Sequence, residues 1–168
     1  MSTSAFEASV LCLLEKRWVL SWPEFGTMNP ALAYTPRRAA YVVILDAERR
    51  VAAVKGKRHY FLPGGGSLPD ETPEQTVVRE TREELARELG NLRQIGQAVQ
   101  YFFADETHYR MEAVFFAAEF AGEATGEGEH RLEWLDAEQV VTGFFHQCHV
   151  WAINQLNNGE DETCDYPK

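Results

Sequence analysis

Apolar positions along the chain fall into short, separated runs. Ala39-Ala40-Tyr41-Val42-Val43-Ile44-Leu45 is a continuous β-rich run, closed by Asp46-Ala47-Glu48-Arg49 and followed by Val51-Ala52-Ala53-Val54. The pair predicts a β-hairpin. Two further strand-like runs, around 94–103 and 109–119, are rich in Phe, Tyr and Val. Between these pairs, residues 57–72 read as a loop containing Pro63-Gly64-Gly65-Gly66. A helix follows, predicted from Pro73 to about Leu89. Thr72 is a good N-cap, Pro73 suits the first helical position, Gln75 completes a capping box with Thr72, and Gly90-Asn91 provides the stop. Residues 122–130 form an acidic, glycine-containing loop leading to Trp134, and a last helix is predicted over about 143–156. Residues 6–21 fit a helix or a strand equally, and Pro23, Gly26, Pro30 and Pro36 make 23–36 an irregular connection. Strands interleaved with two helices predict an α/β or α+β layered domain.

Composition narrows the choice of partners. The 168 residues suit one domain, and 45% apolar content supplies a core without disulfide or metal staples. Lys and Arg total 16 against 26 Asp and Glu, a net charge of −10. That balance excludes a groove for polymeric nucleic acid, which requires a basic surface. Cys12, Cys148 and Cys164 are widely spaced and odd in number, so neither a disulfide framework nor a zinc knuckle is expected, and a reducing compartment fits. The run Val10-Leu11-Cys12-Leu13-Leu14 is too short to span a bilayer, and acidic Glu7 stands where a signal peptide carries a basic residue. These features predict a cytoplasmic protein without membrane partners.

The charge is unevenly placed. Residues 70–89 carry seven acids, 119–139 seven and 159–168 four, which is 18 of the 26. On a wheel of about 100° per residue, Val77, Val78, Thr81, Leu85 and Leu89 share one arc of the predicted helix, the buried one. Glu80, Glu83 and Glu84 share an adjacent arc, at spacings that make them neighbours. Like charges so placed repel, and a hard divalent cation such as Mg²⁺ reverses the sign, being held by carboxylate and carbonyl oxygens and often completed by substrate phosphates. Taken alone, such a helix face is usually a solvated, salt-bridged surface, and a lone glycine triplet is more often a turn. Their conjunction, glycines a short loop ahead of a capped acidic helix, points to a site.

Gly65, then Glu71, then Arg79-Glu80-Thr81-Arg82-Glu83-Glu84, preceded by Phe61-Leu62-Pro63-Gly64, resembles the signature box of the Nudix hydrolases. All six fixed positions of the box are filled. Three others depart from it: Thr81 and Arg87 stand where the family has aliphatic residues, and Ala86 where it has Gly. Ala86 is read as letting the helix run one more turn, to Gly90.

The resemblance implies a Nudix fold, α/β (α+β) with a mixed β-sheet sandwiched between helices. It also divides the chain: residues 1–36 become an N-terminal extension that covers the pocket or forms a homodimer contact, 37–156 the domain, and 157–168 a polar tail. It implies hydrolysis of a pyrophosphate linkage in a nucleoside diphosphate joined to a group X, with Mg²⁺ or Mn²⁺ activating water and a small phosphorylated nucleotide as partner. Glu80, Glu83 and Glu84 match the metal-binding glutamates, and the carbonyl of Gly64 is a further expected ligand. Gly65, Glu71 and Arg79 match positions that brace loop and helix. The general base is left open between a box glutamate, Glu84 foremost, and Glu127 or Glu129 in the later loop, Glu129 being favoured. Lys55 aligns with a basic residue that reaches phosphates, and Arg58 continues a cationic run beside it. Tyr60, Phe61, Phe102 and Phe103 serve either as base-stacking rings or as core, while His146 and His149 are read as helix-face residues. The rival function is a catalytically silent nucleotide-binding module, but such a module is expected to lose box carboxylates, and here all are present.

Overall fold

The computed structural model describes residues 22–158. In chain order the strands are β1 (Glu24–Phe25), β2 (Thr35–Val43), β3 (Val51–Lys55), β4 (Tyr60–Phe61), β5 (Gly64–Gly66), β6 (Leu89–Ala104), β7 (Thr107–Phe120) and β8 (Leu132–Leu135). The helices are α1 (Pro73–Leu85), between β5 and β6, then α2 (Ala137–Gly143) and α3 (Gln147–Asn158) after β8. A five-stranded sheet has the order β1-β6-β7-β2-β5, and a three-stranded sheet the order β4-β3-β8. The larger sheet is mixed: β2 runs parallel to β7 and β1 parallel to β6, while β2–β5 and β6–β7 are antiparallel.

Strand β2 explains the layering. Its side chains alternate between faces, and both faces are apolar, which is why the sequence shows an unbroken run there. Ala39, Tyr41 and Val43 pack with Cys148, Ala152 and Ile153 of α3, whereas Ala40, Val42 and Ile44 pack with Val77 of α1. The sheet is therefore held between α1 and α3. Among the described residues, no helix is long and apolar enough to cross a membrane.

Several predicted elements change. The expected hairpin survives only at its turn, where Leu45 bridges Val51 and the Ala52 amide donates to the Ile44 carbonyl. Beyond that the strands part, because β7 and β5 occupy both edges of β2 and leave β3 to pair with β4 and β8. The segment read as a loop, 57–72, holds β4 and β5, and the irregular connection holds β1 and the start of β2. Helix α1 ends at Leu85, not Leu89. Ala86 is its C-cap in the left-handed region (φ 51°, ψ 38°), a conformation that ordinarily favours glycine, and does not extend the helix. Leu89 and Gly90 already belong to β6. The last predicted helix corresponds to α3, and α2 before it was not predicted; α2 is opened by a second capping box, Asp136 with Gln139. The ambiguous run at 6–21 and most of the tail lie outside the described residues.

Candidate active site

The first turn of α1 fixes the loop before it. The Thr72 hydroxyl accepts from the Gln75 amide, and the Gln75 side chain accepts from the Thr72 amide, so the predicted capping box is present. Glu71 accepts from Arg79 Nε (2.6 Å) and Nη2 (3.0 Å), from the Leu68 amide (3.0 Å) and from the Thr76 hydroxyl (3.2 Å). These bonds, Arg79 first, hold its carboxyl down at about 2. Arg79 Nη2 also donates to the Gly66 carbonyl (3.1 Å). Glu71 and Arg79, two of the three residues expected to brace loop and helix, are thus bonded to one another and to both elements.

The three box glutamates lie along one side of this knot. Arg79 Nη1 donates to Glu80 and to Glu83, each at 2.9 Å. Glu84 Oε2 instead accepts from the Gly64 amide at 2.9 Å. Burial pushes the Glu84 carboxyl up to about 8, with the charges of Glu80, Glu129 and Glu83 adding to the effect and the Gly64 bond opposing it. Among the described residues, no three acidic, His or Cys side chains converge tightly enough to hold a metal ion as they stand. Arg79 draws Glu80 and Glu83 to itself, and Glu84 is turned to the Gly64 amide. The donor set nevertheless fits a hard divalent cation, since it is all oxygen and the neighbouring carboxylates add to the burial that raises the Glu84 pKa. Gly65 belongs to the same fit: a Cβ there would lie 2.7–2.8 Å from the Glu80 carboxyl group. Any side chain at 65 would displace that carboxylate.

The acidic loop 122–130 closes the far end of α1. Its amides cap the open carbonyls of the last turn: Glu129 donates to Glu83 (3.0 Å), His130 to Glu84 (2.8 Å) and Thr125 to Ala86 (2.8 Å). Gly128 permits the approach, because a Cβ at that position would stand 2.2 Å from the Glu84 carbonyl oxygen. Glu129 is thereby brought near enough for its charge to act on Glu84.

Beside this acidic edge opens a cavity of about 300 Å³. It is lined by Gly64, Gly65 and Glu84, by Lys55, Arg37 and His130, and by the rings of Phe61, Phe102, Phe145 and His146. Lys55 stands 5.4 Å from the Tyr60 ring centre. Arg58 is exposed in the β3–β4 turn and does not line the cavity. Of the four aromatics singled out in the sequence, Phe61 and Phe102 line it, Tyr60 donates to Glu133 (2.9 Å), and Phe103 is exposed elsewhere. Phe145, His146 and Arg37 carried no local signal, since they meet the box only through the fold.

The two histidines read as helix-face residues are both buried, His146 in the turn before α3 and His149 within it. The His149 Nδ1 accepts from the Leu62 amide (3.2 Å), tying α3 to the segment that enters Gly64. Burial holds His149 well below the ordinary histidine range and His146 down at about 4, so both are neutral.

Comparison with known proteins gives the same assignment as the box. The NUDIX domain profile matches residues 35–153. A Bacillus subtilis (strain 168) protein described as a candidate 8-oxo-dGTP diphosphatase is 30% identical over 130 residues, covering 75% of this chain and 83% of that one. Among solved structures, a Nudix hydrolase from Nitrosomonas europaea superposes with a TM-score of 0.62 at 14% identity, covering 74% of this chain and 90% of its own. A MutT Nudix hydrolase from Burkholderia pseudomallei gives 0.58 at 23% identity, covering 73% and 98%. At these identities the structures speak for the fold, and the profile match, spanning most of the chain, speaks for the family. The chain belongs to the Nudix hydrolase family.

Proposed function

We propose that the protein is a divalent-metal-dependent pyrophosphohydrolase acting on a nucleoside diphosphate joined to a further group, a nucleoside triphosphate being the leading case. One observation carries this reading: a single cavity is lined both by Glu84 of the carboxylate helix with Gly64 and Gly65 and by the rings of Phe61, Phe102 and Phe145. A nucleotide has matching two-part chemistry, polyanionic phosphates and a planar base. Mg²⁺ or Mn²⁺ bound by Glu80, Glu83, Glu84 and the Gly64 carbonyl would lower the pKa of bound water and offset charge developing on phosphate oxygens. The chain's own residues do the rest. Glu71 and Arg79 keep the helix and the Gly64–Gly66 strand in register, while Lys55 faces the phosphates. Glu129 is our candidate for the base, since its charge already bears on Glu84. Arg58 is left with a peripheral role at most.

The test is a panel of nucleoside triphosphates, diphosphates, sugar nucleotides and dinucleoside polyphosphates with Mg²⁺ or Mn²⁺, followed by phosphate release. An oxidised purine triphosphate belongs in the panel, given what the B. subtilis relative is described as cleaving. Cleavage of at least one nucleotide that stops with chelator supports the reading. Binding without cleavage across the panel favours the silent binding module instead.

A further inference from the structure

His146 and His149 are neighbours with different surroundings. His149 meets the Leu62 amide with its Nδ1, leaves its Nε2 without a hydrogen-bond partner and does not line the cavity. His146, only 5% exposed, lines the cavity, and its Nδ1 has no hydrogen-bond partner. Burying an unpartnered polar atom costs free energy that Leu or Phe at 146 would avoid. Its surroundings are rings: Phe102 at 4.7 Å, Phe145 at 4.8 Å and Phe61 at 5.7 Å between centroids, all near edge-to-face. Because these rings pack against one another, a planar ligand would lie on the surface they make rather than slide between them. A neutral imidazole in such a surface offers one donor and one acceptor and brings no charge of its own. Burial, and next the nearby charge of Arg37, keeps it neutral.

We propose that His146 is a specificity-determining residue that hydrogen-bonds the polar edge of the substrate's base, while Phe61, Phe102 and Phe145 hold its face. The proposal rests on the nucleotide reading above. A site that hydrogen-bonds one base penalises others by leaving a buried polar atom unpaired, whereas rings alone discriminate weakly between planar bases of similar size.

The test measures kcat/KM for the four common nucleoside triphosphates in the wild type, His146→Leu and His146→Asn. The ratio of best to worst base cancels any loss of folded enzyme. We expect the wild type to discriminate and the ratio to fall about tenfold or more in His146→Leu. His146→Asn, which retains a donor and an acceptor, should restore part of the ratio. Equal cleavage of all four bases by the wild type overturns the proposal. So does a ratio unmoved in His146→Leu, or a loss shared equally by every base; in each of these cases the nucleotide reading stands. A wild type that cleaves no nucleotide overturns both.

Discussion

Glu71 and Glu84 bracket α1, one just before its first turn and one in its last, and they are opposites. Glu71 accepts four hydrogen bonds, two from one guanidinium, and its carboxyl is held down at about 2. Glu84 accepts one, from the Gly64 amide, stands among Glu80, Glu129 and Glu83, and is pushed up to about 8. A carboxylate with its charge answered by protein is part of the scaffold. One whose charge is unanswered, at the edge of a cavity, is a group awaiting a ligand. The family box contains both kinds, and only the surroundings tell them apart.

Activity should separate the two most strongly. Glu84→Gln is expected to lower nucleotide hydrolysis by roughly 10²-fold or more, because it removes a carboxylate from the electrostatic centre of the reaction. Its thermal unfolding should be little changed. Glu71→Gln should instead lower the melting temperature, since Arg79 loses its principal partner. A Glu84→Gln protein that melts far below a Glu71→Gln protein would reverse the assignment.

Stability against pH sharpens the same contrast. Glu84 holds its proton more tightly folded than unfolded, so its stabilising share is full below the ordinary glutamate range and is lost as pH rises through about 8. Glu71 has the opposite sign: its share is present above that range and lost as pH falls toward about 2. His146 and His149, held neutral, oppose Glu84 below about 6.5, the ordinary histidine value, so the clean window for Glu84 is 6.5 to 8. In chelator, the wild type should lose stability across that window and Glu84→Gln should not. Melting curves at several pH values check this.

Smaller effects test the frame that carries the two residues. Thr81 is fully buried and its hydroxyl has no partner, so Thr81→Val, nearly isosteric, should stabilise by about 1 kcal/mol in denaturant titrations. Ala86→Gly should add about half a kcal/mol, the relief of a left-handed alanine set against the extra freedom of glycine in the unfolded chain.

What could be read beforehand follows from the range of each interaction. Thr72, Gln75, Arg79 and the box glutamates act over one or two helical turns, so spacing alone placed them together. Helix α1 was read too long because its stop is a left-handed alanine, which leaves no compositional mark. Helix α2 was missed although Asp136 and Gln139 repeat the spacing of Thr72 and Gln75, a signal open to the same rule. The aromatic lining of the cavity was only partly legible, Phe61 and Phe102 being named as either stacking rings or core, for a different reason. Phe61, Phe102 and His146 come from β4, β6 and the turn before α3, and only the closing of the sheet brings them to Glu84. The parting of β2 and β3 was hidden likewise, since it depends on which strands claim the edges of β2.

The most direct measurement is nucleoside triphosphate hydrolysis with Mg²⁺, comparing wild type and Glu84→Gln at matched folded concentration. We expect cleavage by the wild type that chelator abolishes, and a loss of roughly 10²-fold or more in the variant. Equal rates in the two proteins would contradict the placement of the reaction on the carboxylate helix.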